Sequence, residues 1–170
     1  PFANIFIDPD QHEDIIGQDL FPKDFIVSLE PPTNYVGPDQ VFLDPENKMV
    51  IDIDDNQDIL PIRHKKDHSL TTLPQSLKKA IRQFVIARAI RLSRGQTTEH
   101  CSMLVNASVY NDVQSRIRQK IFQEVLDIQA SVKINGAMPL QNALSDMQMA
   151  SLYKVWKDDY QDSEKDWLKI

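Results

Sequence analysis

Pro74 divides this sequence into two kinds of chain. Upstream of it, Pro22, Pro31, Pro32, Pro38, Pro45 and Pro61 recur at short intervals. Each proline lacks a backbone N–H, fixes φ and restricts the residue before it, so residues 8–72 read as loop-rich with no long helix. Downstream, Leu77, Ile81, Phe84, Val85, Ala89 and Leu92 return at the spacing of one helix face. Pro74 stands where a first-turn proline belongs and Gly95 where a helix stops, which predicts a helix over 75–94. Val113, Ile117, Ile121, Val125 and Ile128 predict a second helix over 111–130. After Gly136 and Pro139 a third is expected over 140–157, and Asp162 or Ser163 is placed to cap a last short helix through Trp167.

Strands are expected between these helices and before them. Residues 2–7 and 25–29 are short apolar runs closed by Pro or Asp, residues 49–54 end in apolar–acidic alternation, and Cys101–Ala107 reads as a buried strand. Helix, strand, helix in the middle of the chain, with strands upstream, predicts a helix-rich α/β fold with helices packed on a sheet. The segments are 1–72, acidic and loop-rich; 73–133, the helix–strand–helix core; and 134–170, a helical C-terminal part.

The single cysteine, Cys101, excludes an internal disulfide and a Cys-x-x-Cys zinc pair, and fits a reducing compartment. The sequence has no apolar run of about 18 residues and no basic, then apolar, leader. A cytoplasmic location with no membrane partner is therefore expected. The opening Pro1-Phe2-Ala3-Asn4-Ile5 reads as the interior of a longer chain. The G-x-x-x-x-G-K-[ST] phosphate loop, G-x-G-x-x-G, G-x-S-x-G and H-E-x-x-H are all missing, so the chain shows no catalytic motif, metal motif or cofactor site of its own.

The net charge of −6 conceals a split. Residues 1–62 carry 14 acidic and 2 basic side chains, whereas residues 63–133 carry 13 basic and 5 acidic. Such asymmetry marks either an anion-binding middle segment or parts that neutralise each other in the fold. Within the first helix, Lys78 and Arg82 share one side, and Arg88, Arg91 and Arg94 spread over an adjacent arc. A planar guanidinium matches phosphate oxygens, which makes these the candidate nucleic-acid-binding residues. A solvated helix face is the bland alternative.

Other constellations are weaker. Asp52, Asp54, Asp55 and Asp58 could hold Mg²⁺ in the manner of nucleases, or simply face solvent. Asp39, Glu46 and Lys48 imitate the Pro-Asp…(Asp/Glu)-x-Lys signature of restriction-type nucleases, but the spacing is tight for two paired strands and Pro45 intervenes. His64 and His68 are four apart, without a predicted helix or a third ligand. His100 and Cys101 are adjacent in sequence, which is not how a Cys–His nucleophile is built.

Several motifs resemble one family. Ser76-Leu77, Ala80-Ile81, Phe84, Ala89-x-Arg91-x-x-Arg94-Gly95, His100-x-Ser102-Met103-Leu104-Val105 and Ser108 are similar to the core signature of the Z-one domain. Pro1-Phe2-Ala3-Asn4-Ile5, Asp19-Leu20-Phe21-Pro22-x-Asp24-Phe25-Ile26 and Asn34-Tyr35-x-Gly37 look like it too, so the resemblance spans roughly residues 1–130. A histidine is frequent in that family where Asn106 stands here.

The family is similar to superfamily-two helicases and occurs in bacterial restriction or phage-defence proteins, often described as endonucleases. The resemblance implies a partial RecA-like lobe, with Met103-Leu104-Val105 an early strand of the second lobe and the acidic Pro-rich stretch an insertion. It also implies that the ATP-binding loop and acidic metal motif lie upstream of Pro1, and the arginine finger downstream. ATP and Mg²⁺ would then serve the full-length protein rather than this fragment, and the partners would be DNA and the remaining domains of the same polypeptide. The expected function is that of a non-catalytic fragment of a helicase-like DNA-acting protein, with Arg91 and Arg94 the leading phosphate contacts. The alternatives are an interaction module docking through the helices around Trp156 and Trp167, and a self-contained metal nuclease.

Overall fold

The computed structural model describes residue 32 and residues 34–43, 49–163 and 166–169. The chain divides into two compact units, Pro1–Ile51 and Asp52–Ile170. In the first, the described backbone forms a π-helical turn, Asp39–Leu43, with the Val41 N–H donating to the Gly37 carbonyl at 3.1 Å. The strands expected at 2–7 and 25–29 lie outside the described residues, as do Glu46 and Lys48.

The second unit is built from helices α1 (Gln75–Ser93), α2 (Asn111–Asn135), α3 (Leu140–Ala143) and α4 (Met147–Asp159), closed by a 3₁₀ turn at Trp167–Lys169. Pro74 offers α1 no capping side chain. Asp55 does so from 21 residues upstream: its carboxylate accepts the Ser76 N–H at 2.7 Å and the Ser76 hydroxyl at 2.6 Å. These bonds favour the ionised form and hold the Asp55 carboxyl below the usual carboxylate range. At the other end Gly95 takes φ +84, and the Gly95 and Gln96 N–H groups close back on Leu92 and Arg91.

The core sits where α4 packs against both α1 and α2. Ile81, Ile86 and Ile90 of α1, Val113, Ile117 and Ile128 of α2, and Met149, Leu152, Val155 and Trp156 of α4 are buried there, with Leu60, Leu70 and Leu73 of the preceding loop. The α1 stripe is rotated from the predicted one, whereas on α2 Val113, Ile117 and Ile128 are buried and Ile121 packs against the core as predicted, with only Val125 left out. Ile86 and Ile90 replace Leu92 on α1, and Glu124 and Ser131 replace Val125 on α2. The cause is α4, which docks on the side of each helix that carries the polar pair Arg82 and Glu124.

The third predicted helix is broken. Asp146 accepts from the Gln148 and Met149 N–H groups at 3.0 Å each and from the Ser131 hydroxyl, so it starts α4 afresh after α3. A side chain that satisfies backbone donors in this way competes with continuation of the helix. The Ser131 bond, then the Met149 N–H, hold the Asp146 carboxyl below its ordinary value. At the end of the chain the short helix forms after Asp166, with Lys169 N–H bonded to the Asp166 carbonyl, rather than from Asp162 or Ser163.

The α/β expectation is corrected on the side of helix. Among the described residues there is no strand: 49–54 and 101–107 are irregular. Residues 101–107 have strand-forming side chains, but among the described residues no second extended segment lies beside them to complete a ladder. Val105 packs against the core, while Leu104 is 89% exposed and Cys101 is only partly covered. A buried strand of a RecA-like sheet is therefore not what this stretch forms. Among the described residues no helix is long and apolar enough to cross a membrane.

Candidate functional site

The predicted cations separate into two groups. Arg82 faces inward, 9% exposed, and its Nη2 donates to Glu124 Oε1 at 2.7 Å and to Gln148 Oε1 at 2.8 Å. It ties α1, α2 and α4 together and is sequestered from any outside anion. Lys78 is half-buried beside the same carboxylate, 4.0 Å from Glu124 Oε2. The helical spacing that grouped them was correct, but periodicity alone cannot say that a charged face is turned inward.

Arg88, Arg91 and Arg94 occupy the other end of α1. Arg88 donates to the carbonyls of Gln96, Thr97 and Glu99, and Arg91 to the Gln96 side chain at 3.0 Å and the His100 carbonyl at 3.2 Å. Both brace the segment that follows Gly95. Arg94 is exposed, and its guanidinium has no partner among the described residues. All three lie near the α1 C-terminus, where a positive charge also complements the helix dipole.

A second cluster was not grouped by sequence reasoning. His64 Nε2 stands 2.7 Å from Ser108 Oγ, and His64 Nδ1 stands 2.8 Å from the Pro61 carbonyl oxygen. The Tyr110 N–H donates to Ser108 Oγ at 3.1 Å, and the Tyr110 ring meets the His64 ring edge-on at 5.7 Å. Gln114 of α2 donates to Asn106 Oδ1 at 2.9 Å and to the Ser108 carbonyl at 2.8 Å, fixing residues 106–108 on that helix. On the other side, His68 Nε2 donates to the Ile59 carbonyl at 2.8 Å, and Arg116 donates to the His68 carbonyl at 2.6 Å. The two segments line a cavity of about 770 Å³, mostly apolar, with Leu60, Leu70, Leu77, Val105 and Ile117 on its walls beside His64 and Ser108.

The histidines do not converge as metal ligands. Each ring is engaged with a backbone carbonyl, and the remaining His64 nitrogen meets Ser108. Among the described residues no group of three His, Cys, Asp or Glu side chains could hold a metal ion. Asp52 and Asp54 lie exposed on irregular backbone, and Asp55 is committed to Ser76. The tryptophans expected on a docking face are instead packed together: Trp156 is 9% exposed and stacks with Tyr153, and Trp167 meets Tyr153 edge-on at 5.3 Å.

Ser108 belongs to the family-like motifs, and His64 to a pair of histidines four residues apart. The 44 residues between them hide the pairing. Its one local signal is Pro61, three residues before His64, whose carbonyl fixes the ring.

No curated protein and no solved structure matches the chain. The family model of the Z1 domain, the Z-one domain of the motif comparison, matches residues 76–170. That match takes in residues 131–170, which carried no motif, and leaves out residues 1–75, where the first motifs were read. It starts at Ser76, the residue that Asp55 caps, and runs through α1, α2, α3 and α4. With more than half of its length under that match, the chain belongs to the Z1 domain family.

Proposed function

We propose that this chain is the Z1 part of a bacterial helicase-like protein that acts on DNA in restriction or phage defence. Its own task is to hold DNA backbone at the C-terminal end of α1. ATP and Mg²⁺ would be bound by other parts of the full-length protein, a nucleic-acid-dependent ATPase or endonuclease working in the cytoplasm. Membership of the Z1 family supports the setting. The observation that carries the contact is Arg94, exposed and without a side-chain partner among the described residues, next to Arg88 and Arg91 held in place by the 96–100 carbonyls. A guanidinium already steadied through one edge loses less side-chain entropy when its other edge meets a phosphate.

The test is binding to duplex and single-stranded DNA at about 50 and about 200 mM salt, with and without Mg²⁺, with cleavage followed in the same tubes. Salt-sensitive binding without cleavage supports the reading, and binding indifferent to salt overturns it. A second reading, a module that docks other domains or subunits, draws on different residues. Leu104 and Val109 are each 89% exposed and Phe122 63%. Concentration-dependent self-association with no affinity for DNA favours that reading.

A further inference from the structure

The His64–Ser108 contact has a defined direction. A carbonyl oxygen only accepts, so His64 Nδ1 carries the hydrogen in its 2.8 Å bond to Pro61. The neutral ring then presents a lone pair at Nε2, and Ser108 donates its hydroxyl hydrogen there across 2.7 Å. The Tyr110 N–H, at 3.1 Å, occupies an acceptor position on Ser108 Oγ and leaves its hydrogen for the imidazole. Hydroxyl, imidazole and an acceptor that fixes the tautomer make up the order of an activated serine, with a backbone carbonyl in the third place.

The surroundings suit such a pair. It borders a mostly apolar cavity of about 770 Å³, within the roughly 300–1,000 Å³ of small-molecule sites. Asn106 lies on the same wall, and with its Oδ1 tied to Gln114 its amide N–H groups have no partner among the described residues. An unengaged amide donor beside a nucleophile is what a developing oxyanion requires.

We propose that Ser108 and His64 are the nucleophile and general base of an acyl-transfer site for esters with an apolar acyl chain, with Asn106 donating to the carbonyl oxygen. Ser108 Oγ forms a bond to the carbonyl carbon while its proton passes to His64 Nε2. The bond from that carbon to the leaving alkoxide breaks, and the alcohol departs with the proton from Nε2. Water then attacks the acyl–Ser108 ester, giving its proton to Nε2. The acid is released, and the proton returns to Ser108 Oγ. No oxidant, metal or nucleotide enters. This activity is additional to DNA binding and does not rest on it.

The experiment treats the whole chain with an octyl fluorophosphonate and locates the adduct by peptide mass spectrometry. Attack by Ser108 Oγ forms a P–O bond, breaks the P–F bond and releases fluoride, so the label records nucleophilicity directly. The expected result is an adduct on Ser108. It should form about 100-fold more slowly in His64→Gln, and more slowly with a methyl than with an octyl probe. If His64→Gln melts early, the site of labelling and the chain-length comparison on the unaltered chain decide alone. No Ser108 adduct, or equal rates for methyl and octyl probes, would overturn the proposal. A purely structural bond between the two segments predicts the first of these.

Discussion

Arg82 and Glu124 meet at 2.7 Å where α1, α2 and α4 converge, both almost wholly removed from solvent. Gln148 takes a further hydrogen from Arg82 Nη2, while Arg82 Nε is buried without a partner among the described residues. Two charges taken out of water attract strongly but lose their hydration, so their value lies in being kept together. Arg82→Met should destabilise the second unit by about 3 kcal/mol, because it removes the hydrogen-bonded partner of the Glu124 carboxylate and leaves only Lys78, 4.0 Å away. Arg82→Met combined with Glu124→Leu should recover most of that loss. Urea denaturation decides. A single-variant loss no larger than the ~1 kcal/mol of a surface pair would show that water reaches the site.

The two capping carboxylates predict acid sensitivity. Asp55 and Asp146 are held below their ordinary value of 3.8 in the folded chain, first by the Ser76 and Ser131 hydroxyls respectively. A carboxyl that binds its proton less readily when folded contributes stability above its unfolded value, and that contribution disappears as pH falls through the folded value. Melting temperature should therefore hold steady down to about pH 5 and decline below it. Asp146→Asn keeps an acceptor at the N-cap of α4 but cannot titrate, so its decline should be shallower. Superimposable acid limbs for the variant and the unaltered chain would remove Asp146 from this account.

Gly95 sits at φ +84 with open space around it, since a Cβ there would meet no atom within 4 Å. Gly95→Ala should cost about 1–2 kcal/mol from backbone strain alone, and Gly95→Asn less, because asparagine tolerates that region. Thermal melts of the two variants provide the comparison. Equal melting temperatures for alanine and glycine would mean that the turn relaxes freely.

Arg94→Ala should lower the slope of log affinity for DNA against log salt by about 1 and cost no more than the ~1 kcal/mol of a helix-dipole contact in stability. Arg82→Met, read where the chain remains folded, should leave that slope alone, since Arg82 is turned into the core. A reversed pattern would move the DNA contact away from the C-terminal end of α1.

The long helices were legible because their apolar residues recur with the helical period and Pro74 and Gly95 mark the ends of one of them. The inward face was legible on α2, where Val113, Ile117 and Ile128 are buried as predicted, but not on α1. Ile86 and Ile90 are buried in place of Leu92 because α4 arrives from a direction that only the folded chain defines. The break at Asp146 was missed because its cause, Ser131, belongs to another helix. Cys101–Ala107 was read as a strand from composition, but a strand needs a neighbour, and composition does not say whether one is present. Arg88 and Arg91 both reach the segment after Gly95, while Arg82 is turned inward to Glu124. His64 and Ser108 carry no shared local pattern, so their meeting emerges only from the path of the chain.

That unpaired stretch also sets how this protein should spoil. None of the backbone groups of residues 101–107 has a hydrogen bond among the described residues, and Met103 and Leu104 present exposed apolar side chains beside them. Two copies brought together by heat or concentration can satisfy in each other what neither satisfies alone, by laying these segments edge to edge. Loss of material on storage should therefore begin at this point, before the helices melt, as a precipitate that binds amyloid dyes. A lysine at Leu104, already 89% in solvent, is the substitution that should keep the protein clear in the tube.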